Sequence, residues 1–390
     1  MSKSESNEAM KNDVFIVGGG PAGLAAAIAA RSRGLSVAVA DIATPPFDKA
    51  CGEGLMPDAV ASLANLGVSI SPEEGYLFDG IRFIDGNRKV EAAFPSGTGV
   101  GIRRPVLHRI LVDRAREAGV MFFWGARVER THTGEIVMNG SKVRARWIIG
   151  ADGHKSRVRR WAGLQQRRKQ QVRFGFCLHY SVKPWTNRVE VYWGAHCQFI
   201  VTPVSQSNMS VVLITRNPRL RIGDALPLFP ELQSRLAGST VSTTERGAFS
   251  AMMSVDSVSR DQFALIGDAS GSVDAITGEG LRLAFQQALR LGDALATNDL
   301  ARYEAEHRRI ARLPMFMSRL MLLMDRSVLI RHSVMRVFSA QPKVFAKLLA
   351  IHTGAKMETA QRPRDSGIPD HIHMADTEYQ QLIRREAVGD

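Results

Sequence analysis

The feature that most constrains this chain is a strand–turn–helix–strand pattern near its start. Residues 13–39 read DVFIVGGGPAGLAAAIAARSRGLSVAV, which predicts a buried strand, a glycine-rich turn, an alanine-rich helix and a second strand. Gly18 allows the tight turn, Gly20 lets the backbone approach a pyrophosphate, and Gly23 lets the helix pack closely on the strand. Asp41 ends the second strand, where a carboxylate can accept hydrogen bonds from ribose hydroxyls. The pattern therefore predicts a bound dinucleotide, with its phosphates at the helix N-terminus.

The chain carries a high positive charge, part of which is local. The formal net charge is +13 over 390 residues, and residues 300–350 contain ten Lys/Arg against three acids. Two interpretations of this basic segment stay open: a solvated helical face, or contact with an anionic membrane surface or an acidic carrier protein. Nucleic acid is not expected as a partner, because no recognised binding motif accompanies the charge.

Cysteine content and hydropathy favour a cytoplasmic protein. Three cysteines cannot form a disulfide framework, which fits a reducing compartment. Residues 1–12 are polar and lack the apolar core of a secretory signal. No stretch approaches the 18 uncharged apolar residues of a spanning helix, so any membrane contact is expected to be peripheral.

The order of predicted elements indicates two domains and a helical region. Beta-type runs linked by short turns interrupt the nucleotide-binding pattern, which returns near residue 263. At 390 residues the chain can hold one large or two medium domains, with ample material for a core. The predicted parts are a disordered N-terminus (1–12), a nucleotide-binding domain (13–80, 100–165 and 255–298), a substrate domain (81–99 and 166–254), a C-terminal helical region (299–353) and a loose tail (354–390).

Three motifs in a fixed order identify the cofactor by resemblance. GGGPAG (18–23), GADGHKSRVR (150–159) and LIGDASGSVDAITGEG (265–280) follow one another along the chain. In this order they resemble the FAD-dependent superfamily of aromatic hydroxylases, flavin halogenases and geranylgeranyl reductases. The resemblance covers about residues 13–298 and implies bound FAD. It also implies an α/β fold: a discontinuous Rossmann-like FAD-binding domain, an inserted antiparallel β-sheet substrate domain and a C-terminal helical cap.

The resemblance assigns cofactor contacts to individual residues. Asp268 matches the aspartate that accepts a hydrogen bond from a ribityl hydroxyl of FAD. Gly278 and Gly280 match the glycines that let backbone N–H groups and a helix dipole face the N1–O2 edge of the flavin. Arg104 matches an arginine that reaches the cofactor, and Arg103 is the alternative.

Two further contacts come from the middle of the chain. Val128 matches a strand residue whose backbone contacts adenine. Asp152 belongs to the motif that serves both FAD and NAD(P)H in hydroxylases, and His154 and Arg157 beside it are either helpers or surface residues.

The sequence KACGEGLMP at 49–57 favours the geranylgeranyl-reductase-like branch. That branch has a Cys-Gly-rich loop here, which passes over the isoalloxazine ring, so Cys51 is the cysteine expected at the active site. Glu53 is a candidate proton donor or orienting group, with an ion pair to Lys49 as the alternative. Cys177 and Cys197 lie in predicted strands and are expected to be small core residues.

Two other segments bear on the branch and its substrate. The Thr-Gly-Glu-Gly ending of the third motif is typical of the reductase-like branch. The segment 191–203 departs from that branch, because Gln198 and Thr202 introduce polarity where an apolar pocket is expected. The Met/Leu-rich helices from 314 to 349 either complete the core or form an apolar access to the active site.

Together these features predict an FAD-dependent oxidoreductase that acts on a hydrophobic prenyl, quinoid or polyketide-like substrate. The preferred reaction is hydride transfer from the flavin to an activated double bond, with no metal. The expected reductant is NAD(P)H bound transiently, with ferredoxin or a partner reductase as the alternative. The alternatives are an NAD(P)H-dependent monooxygenase of an aromatic or polyketide substrate and a flavin-binding protein without catalysis.

Overall fold

Strands make up much of the chain that the computed structural model describes, which comprises residues 10–164, 166–169 and 172–354. In chain order the strands are β1 (Met10–Val17), β2 (Val37–Asp41), β3 (Gly54–Leu55), β4 (Tyr76–Phe78), β5 (Gly80–Asp85), β6 (Arg88–Ala93), β7 (Gly99–Gly101), β8 (Met121–Trp124), β9 (Val128–Arg130), β10 (Ile136–Met138), β11 (Ser141–Gly150), β12 (Gln166–Lys169), β13 (Arg173–Ser181), β14 (Arg188–Trp193), β15 (Cys197–Ser205), β16 (Asn208–Thr215), β17 (Thr240–Val241), β18 (Arg246–Ser250), β19 (Met253–Val255), β20 (Ser259–Arg260) and β21 (Phe263–Leu265).

The α-helices of the same described residues lie between and after these strands. They are α1 (Pro21–Arg31), α2 (Pro57–Ala64), α3 (Arg104–Glu117), α4 (Arg157–Trp161), α5 (Ile222–Ala225), α6 (Pro230–Leu236), α7 (Gly280–Thr297), α8 (Leu300–Arg326), α9 (Val328–Ala340) and α10 (Pro342–His352). Among these helices, none combines the length and apolar composition that crossing a bilayer requires.

The first sheet has a parallel centre built from distant segments of the chain. Its main order is β20-β21-β11-β1-β2-β8, and β1 pairs in parallel with both β2 and β11. Val14, Phe15 and Ile16 are fully buried, as expected for a strand covered on both faces. Helix α7 approaches α1 so closely that a Cβ on Gly292 would lie 2.9 Å from the backbone oxygen of Ala29. The predicted discontinuous Rossmann-like fold is confirmed.

The second sheet has the order β17-β13-β16-β15-β14-β5-β6, with β18 also paired to β13. Most neighbours are antiparallel, as predicted for the substrate domain, and β5 and β14 form a parallel pair within this sheet. A parallel pair is possible there because the long segment between the two strands returns through the first sheet. One sheet face packs on α5 and α6 through residues such as Phe199 and Leu232, and the opposite face looks toward the C-terminal helices.

Helices α8, α9 and α10 form the predicted C-terminal cap. Asp299 accepts a hydrogen bond from the Arg302 N–H at the start of α8, and Ser327 accepts one from Ile330 at the start of α9. Pro342 begins α10, a position where its missing N–H costs no helical hydrogen bond.

The N-terminal boundary differs from the prediction. Met10 to Asn12 belong to β1 and pair in parallel with Val143 to Ala145, so the expected disorder of residues 1–12 is wrong for residues 10–12. The remaining predicted disorder, 1–9, and the predicted tail beyond Gly354 lie outside the described residues. The domain boundaries stay predictions, since the described residues group as one compact unit.

Candidate active site

A cavity of about 970 Å³ lies between the two sheets and the C-terminal helices. Residues that follow the carboxyl ends of β1, β2, β11 and β21 line one half of it, and the second sheet lines the other. This is the edge where open α/β sheets bind their ligands. Every residue that the sequence assigns to cofactor binding lies at this cavity except Gly23, which lies behind the turn that lines it.

The three glycines of the first motif have three different constraints. Gly18 has φ of +113°, and a Cβ there would lie 2.4 Å from the carbonyl oxygen of Ala151. A Cβ on Gly23 would lie 1.9 Å from the carbonyl oxygen of Gly18, so this glycine holds helix α1 against the turn. Gly20 has ordinary extended backbone angles and no atom within 4 Å of its Cβ position. The missing side chain of Gly20 therefore makes room in the cavity for a ligand. It is not required for packing within the protein.

The start of α1 is open to an anion. Gly20 is the N-cap residue and supplies no side-chain hydrogen bond to the first turn, which begins with Pro21. Both residues line the cavity. Uncapped N–H groups and the helix dipole favour a phosphate at this position.

Asp41 both shapes the turn and faces the cavity. Its carboxylate accepts hydrogen bonds from the backbone N–H groups of Gly19 (2.7 Å) and Ala43 (2.9 Å). Each carboxylate oxygen has a further lone pair for a ribose hydroxyl. Val128, the first residue of β9, lines the same end of the cavity, which agrees with an adenosine site there.

Asp268 is an anionic acceptor that lies beside a histidine and a lysine. Its Oδ2 lies 2.9 Å from Nδ1 of His154 and 3.7 Å from Nζ of Lys49. Burial by itself raises the pKa of Asp268, but the hydrogen bond from His154 and the charges of His154, Lys49 and Arg104 lower that pKa to about 2. The carboxylate is therefore ionised at neutral pH and suited to accept a hydroxyl proton.

The middle motif contains two buried polar atoms without a hydrogen-bond partner, on residues that line the cavity. Asp152 accepts the backbone N–H groups of Arg157 (2.6 Å) and Val158 (3.2 Å) with Oδ2, while its Oδ1 is buried with no hydrogen-bond partner in the described residues. The Nε2 atom of His154 is likewise buried and unpartnered there. Unpaired buried polar atoms are costly, so this pair indicates that a polar ligand belongs beside them.

Arg159 links the second motif to the third by hydrogen bonds. The sequence alone does not assign it a role. Its guanidinium donates to the carbonyl oxygens of Ala269 (2.8 Å) and His154 (2.7 Å). It is buried, which is rare for arginine unless its donors are satisfied. No local pattern distinguishes it from the neighbouring surface arginines.

Glu53 fixes the cysteine loop in place. Its carboxylate lies 2.6 Å from Nε2 of His179 on β13 and accepts the backbone N–H of Arg104 at 2.8 Å. The residue is buried and has φ of +56°. Lys49 pairs with Asp268 instead, so the alternative of a Glu53–Lys49 ion pair is wrong. This geometry favours the orienting role for Glu53.

Cys51 and Arg104 meet at the same loop. Cys51 is half-buried, lines the cavity and has its Sγ 3.9 Å from Nη1 of Arg104. Arg103 is not among the described residues that line the cavity, and its Nε lies 3.7 Å from Glu53. The choice of Arg104 over Arg103 therefore agrees with the structure. Cys177 and Cys197 are buried strand residues, as predicted.

Glu279 is a cavity residue that the sequence motif contained but did not single out. It lies between Gly278, which has φ of +68°, and Gly280, which begins α7. Burial raises the pKa of Glu279 to about 7, against the opposing charge and hydrogen bond of Arg282. Nε2 of His352 lies 3.1 Å from Oε1 of Glu279. A carboxyl group with this pKa can hold and release a proton near neutral pH.

The second half of the cavity is mostly apolar. The second sheet and the C-terminal helices supply these apolar side chains: Ile81, Phe83, Val189, Val191, Ile200, Val212, Ile214, Met317, Leu320, Met321, Met324, Phe338, Phe345, Leu348 and Leu349. The same elements bring the polar residues Thr202, Ser250 and His352 to the cavity. The Met/Leu-rich helices thus complete the core and line the cavity at once.

The polarity expected from Gln198 does not lie in the cavity. Its side chain donates a hydrogen bond to Asp325 on α8, and Gln198 is not among the cavity-lining residues of the described chain. Thr202 does line the cavity, but its hydroxyl donates to the carbonyl oxygen of Gly52 at 2.9 Å. The amide of Gln198 and the hydroxyl of Thr202 therefore both donate to groups of the protein, and neither offers a free donor to the cavity.

Comparison of the sequence with known proteins identifies a family and several relatives. The FAD binding domain family matches residues 11–311. The chain is 30% identical to digeranylgeranylglycerophospholipid reductase 1 of Methanopyrus kandleri, over 70% of this chain and 78% of that protein. It is 29% identical to menaquinone reductase of Mycobacterium tuberculosis, over 74% and 78% of the two chains.

A solved structure supports the fold. The flavoprotein/dehydrogenase from Cytophaga hutchinsonii superposes with a TM-score of 0.75 at 18% identity, over 88% of this chain and 93% of that one. The unpartnered polar atoms of Asp152 and His154, the space at Gly20 and the ionised Asp268 fit a flavin dinucleotide at this cavity. The chain is therefore a member of the FAD binding domain family, an FAD-dependent oxidoreductase similar in sequence to a menaquinone reductase and a digeranylgeranylglycerophospholipid reductase.

Proposed function

We propose that this protein reduces an activated carbon–carbon double bond in a hydrophobic prenyl, quinoid or polyketide-like substrate. The observation that carries the proposal is the continuity of the cavity, which runs from the phosphate turn past Cys51 to the apolar half formed by the second sheet and α8. Relatives named for menaquinone and for a digeranylgeranyl lipid support the substrate class. We favour a prenylated lipid among these classes.

Bound FAD would supply hydride chemistry, and the chain would supply placement and protons. The open end of α1 would bind the pyrophosphate, and Asp268 would accept a ribityl hydroxyl. Glu53 and His179 would keep the Cys51 loop at the reacting face. Saturating a double bond needs one proton besides the hydride, and Glu279 is a cavity group whose raised pKa suits it to hold that proton.

NAD(P)H is proposed as the reductant that binds transiently. The sequence contains only the G-x-G-x-x-G at 18–23, so a second dinucleotide would need a site without that fingerprint. Mixing the oxidised holoprotein anaerobically with NADH or NADPH and following flavin bleaching tests this step. Bleaching by dithionite but by neither nucleotide would point to a protein electron donor.

Anaerobic turnover tests the reaction. FAD-loaded protein is photoreduced without O2 and mixed with menaquinone or with a geranylgeranylated glycerophospholipid, and the products are weighed by mass spectrometry. A reductase reoxidises its flavin without O2 and yields a product heavier by two hydrogen atoms. A product that forms only with O2 and gains an oxygen atom would identify a monooxygenase. No product in either condition would leave the protein as a flavin binder without catalysis on these substrates.

Asp268→Ala is expected to weaken FAD binding while the fold stays intact. The substitution removes an ionised acceptor, and a charge-assisted hydrogen bond contributes roughly 1.5–3 kcal/mol, which corresponds to about a tenfold to hundredfold higher Kd for FAD. Quenching of flavin fluorescence measures the Kd. Asp113→Ala, an exposed change on α3, is the matched control and should leave the Kd unchanged. An unaltered Kd in Asp268→Ala would place the ribityl contact elsewhere.

Cys51→Ala is expected to change the flavin absorption spectrum without releasing FAD. The thiol lies in the loop at the cavity, whereas the phosphate and adenosine contacts come from other segments. Cys197→Ala is the matched control, because Cys197 is buried and does not line the cavity in the described chain. The control should lower the melting temperature and leave the spectrum unchanged. The same behaviour in Cys51→Ala would remove Cys51 from the active site.

A further inference from the structure

The outer surface of α8 and α9 exposes large apolar side chains. Six of the eleven large hydrophobic residues that are exposed in the described chain lie between 316 and 337. They include Phe316 at 59%, Leu323 at 46% and Leu329 at 81% exposure, and the others are Val328, Ile330 and Val337. We call these six residues the C-terminal apolar patch. Single exposed apolar residues are ordinary, but six within 22 residues are a concentration that marks an interaction site.

Helical spacing shows that the exposure in α8 belongs to one face. Phe316 and Leu323 are seven residues apart, and Arg312, Arg319 and Arg326 repeat at the same interval beside them. Residues seven apart lie on the same side of an α-helix. The helix thus presents apolar and cationic side chains together on its outer face.

The opposite face of α8 lines the cavity. Met317, Met321 and Met324 are buried, and all three line the apolar half of the cavity. The apolar outer face is therefore additional to the face that α8 needs for packing.

The exposed charged side chains on the helices that carry the patch, and on α10 after them, are all positive. From residue 312 onward, helices α8, α9 and α10 carry six exposed cations, none of which forms an ion pair with a carboxylate of the described residues: Arg312, Arg319, Arg326, Arg336, Lys343 and Lys347. The only acid from residue 312 to residue 354 is Asp325, which is buried and paired with Arg173 and Arg216. Elsewhere on this protein, exposed arginines are commonly paired, as Arg109 is with Glu74.

We propose that the C-terminal apolar patch docks on an anionic lipid bilayer. Phe316, Leu323 and Leu329 would enter the boundary between headgroups and acyl chains, and the six cations would contact the anionic headgroups. An acidic protein surface would match the cations but would leave a residue such as Leu329, 81% exposed, without an apolar environment. The bilayer satisfies both kinds of side chain.

Docking on a bilayer would also explain the position of the cavity. The helices that carry the patch line the apolar half of the cavity with their other face, so a docked protein would hold that half one helix away from the lipid. This step rests on the proposed function, in which the substrate is a prenylated lipid. The docking itself depends only on the surface of α8 and α9.

Vesicle sedimentation with the full-length holoprotein tests the proposal. One set of vesicles is pure phosphatidylcholine, and the other contains about one third phosphatidylglycerol, an anionic lipid. We expect at least about tenfold stronger partitioning onto the anionic vesicles, with a decrease at high salt. Equal partitioning onto both vesicles, or none, would overturn the proposal. Because partitioning is measured without turnover, failure of the proposed reaction leaves this result intact.

Two variants separate a bilayer from an acidic partner. Phe316→Ser combined with Leu329→Ser removes apolar area, and Arg319→Gln combined with Arg326→Gln removes charge; all four positions are exposed, so the fold should persist. Each double variant should lose about tenfold or more in partitioning. Leu228→Ser, 65% exposed on the far side of the second sheet, is the control and should bind like the parent protein. Loss in the arginine variant alone would indicate recognition of acidic surfaces in general and would contradict bilayer docking.

Discussion

We expect Gly20→Val to yield a folded protein that no longer retains FAD. The backbone at Gly20 has φ of −73° and ψ of 177°, which valine adopts readily, and a Cβ there meets no atom within 4 Å. The protein alone therefore tolerates the side chain. The branched group instead fills the space where the pyrophosphate must approach the start of α1. We expect the Kd for FAD to rise at least about a hundredfold, equivalent to about 2.7 kcal/mol.

Gly23→Val is the matched comparison, because it places the same side chain three residues away in a different environment. Its Cβ would lie 1.9 Å from the carbonyl oxygen of Gly18, so the turn and α1 must separate. This variant should lose FAD and also lower the melting temperature of the cofactor-free protein. Melting curves of both variants without FAD, together with the flavin content of each preparation, separate the two effects. Normal flavin content in Gly20→Val would show that the phosphates bind elsewhere.

The parts of the fold that were predictable are those with a local chemical pattern. The buried run of Val14 to Val17 reads as a central strand, and the glycine spacing after it is fixed by sterics within a few residues. Asp268 and Asp152 were found because each lies in a short motif at the end of a strand. The same locality explains the error at residues 10–12: Met-Lys-Asn has no strand pattern, and its order comes from pairing with β11.

The residues that were missed are held by contacts between distant segments. His179 meets Glu53 across 126 positions, and Arg159 meets Ala269 across 110. Neither contact leaves a periodicity or spacing in the sequence. For Gln198 the residue type is evident from the sequence, but its partner Asp325 is not. The prediction that Gln198 adds polarity to the pocket is therefore wrong, because its amide donates to Asp325. Composition near a site is informative about its chemistry only when the partners are also known.

A buried ionic network joins the three parts of the structure at Arg173. This residue, 2% exposed, pairs with Asp274 of the third motif at 2.9 Å and with Asp325 of α8 at 3.0 Å. Both acids are themselves buried. Arg216 also contacts Asp325, from the more exposed end of the network. The second sheet, the flavin motif and the C-terminal cap therefore share one charged centre.

We expect Arg173→Met to be among the most destabilising single changes in this protein. Methionine fills a similar volume, but among the described residues it leaves Asp274 with no cation and Asp325 with only Arg216. Removing one partner of a buried ion pair costs about 3–5 kcal/mol, because the remaining charge stays desolvated. Denaturant unfolding of the cofactor-free protein measures the loss.

Two further variants show whether buried charge is the cause. Arg109→Met, which breaks an exposed pair with Glu74 on the surface, should cost less than about 1 kcal/mol. Adding Asp274→Asn to Arg173→Met removes the unpaired carboxylate and should restore part of the lost stability. If Arg173→Met costs no more than the Arg109 change, water reaches the network and the three parts are held together by apolar packing instead. The double variant would then show no recovery, since there would be no stranded charge to neutralise.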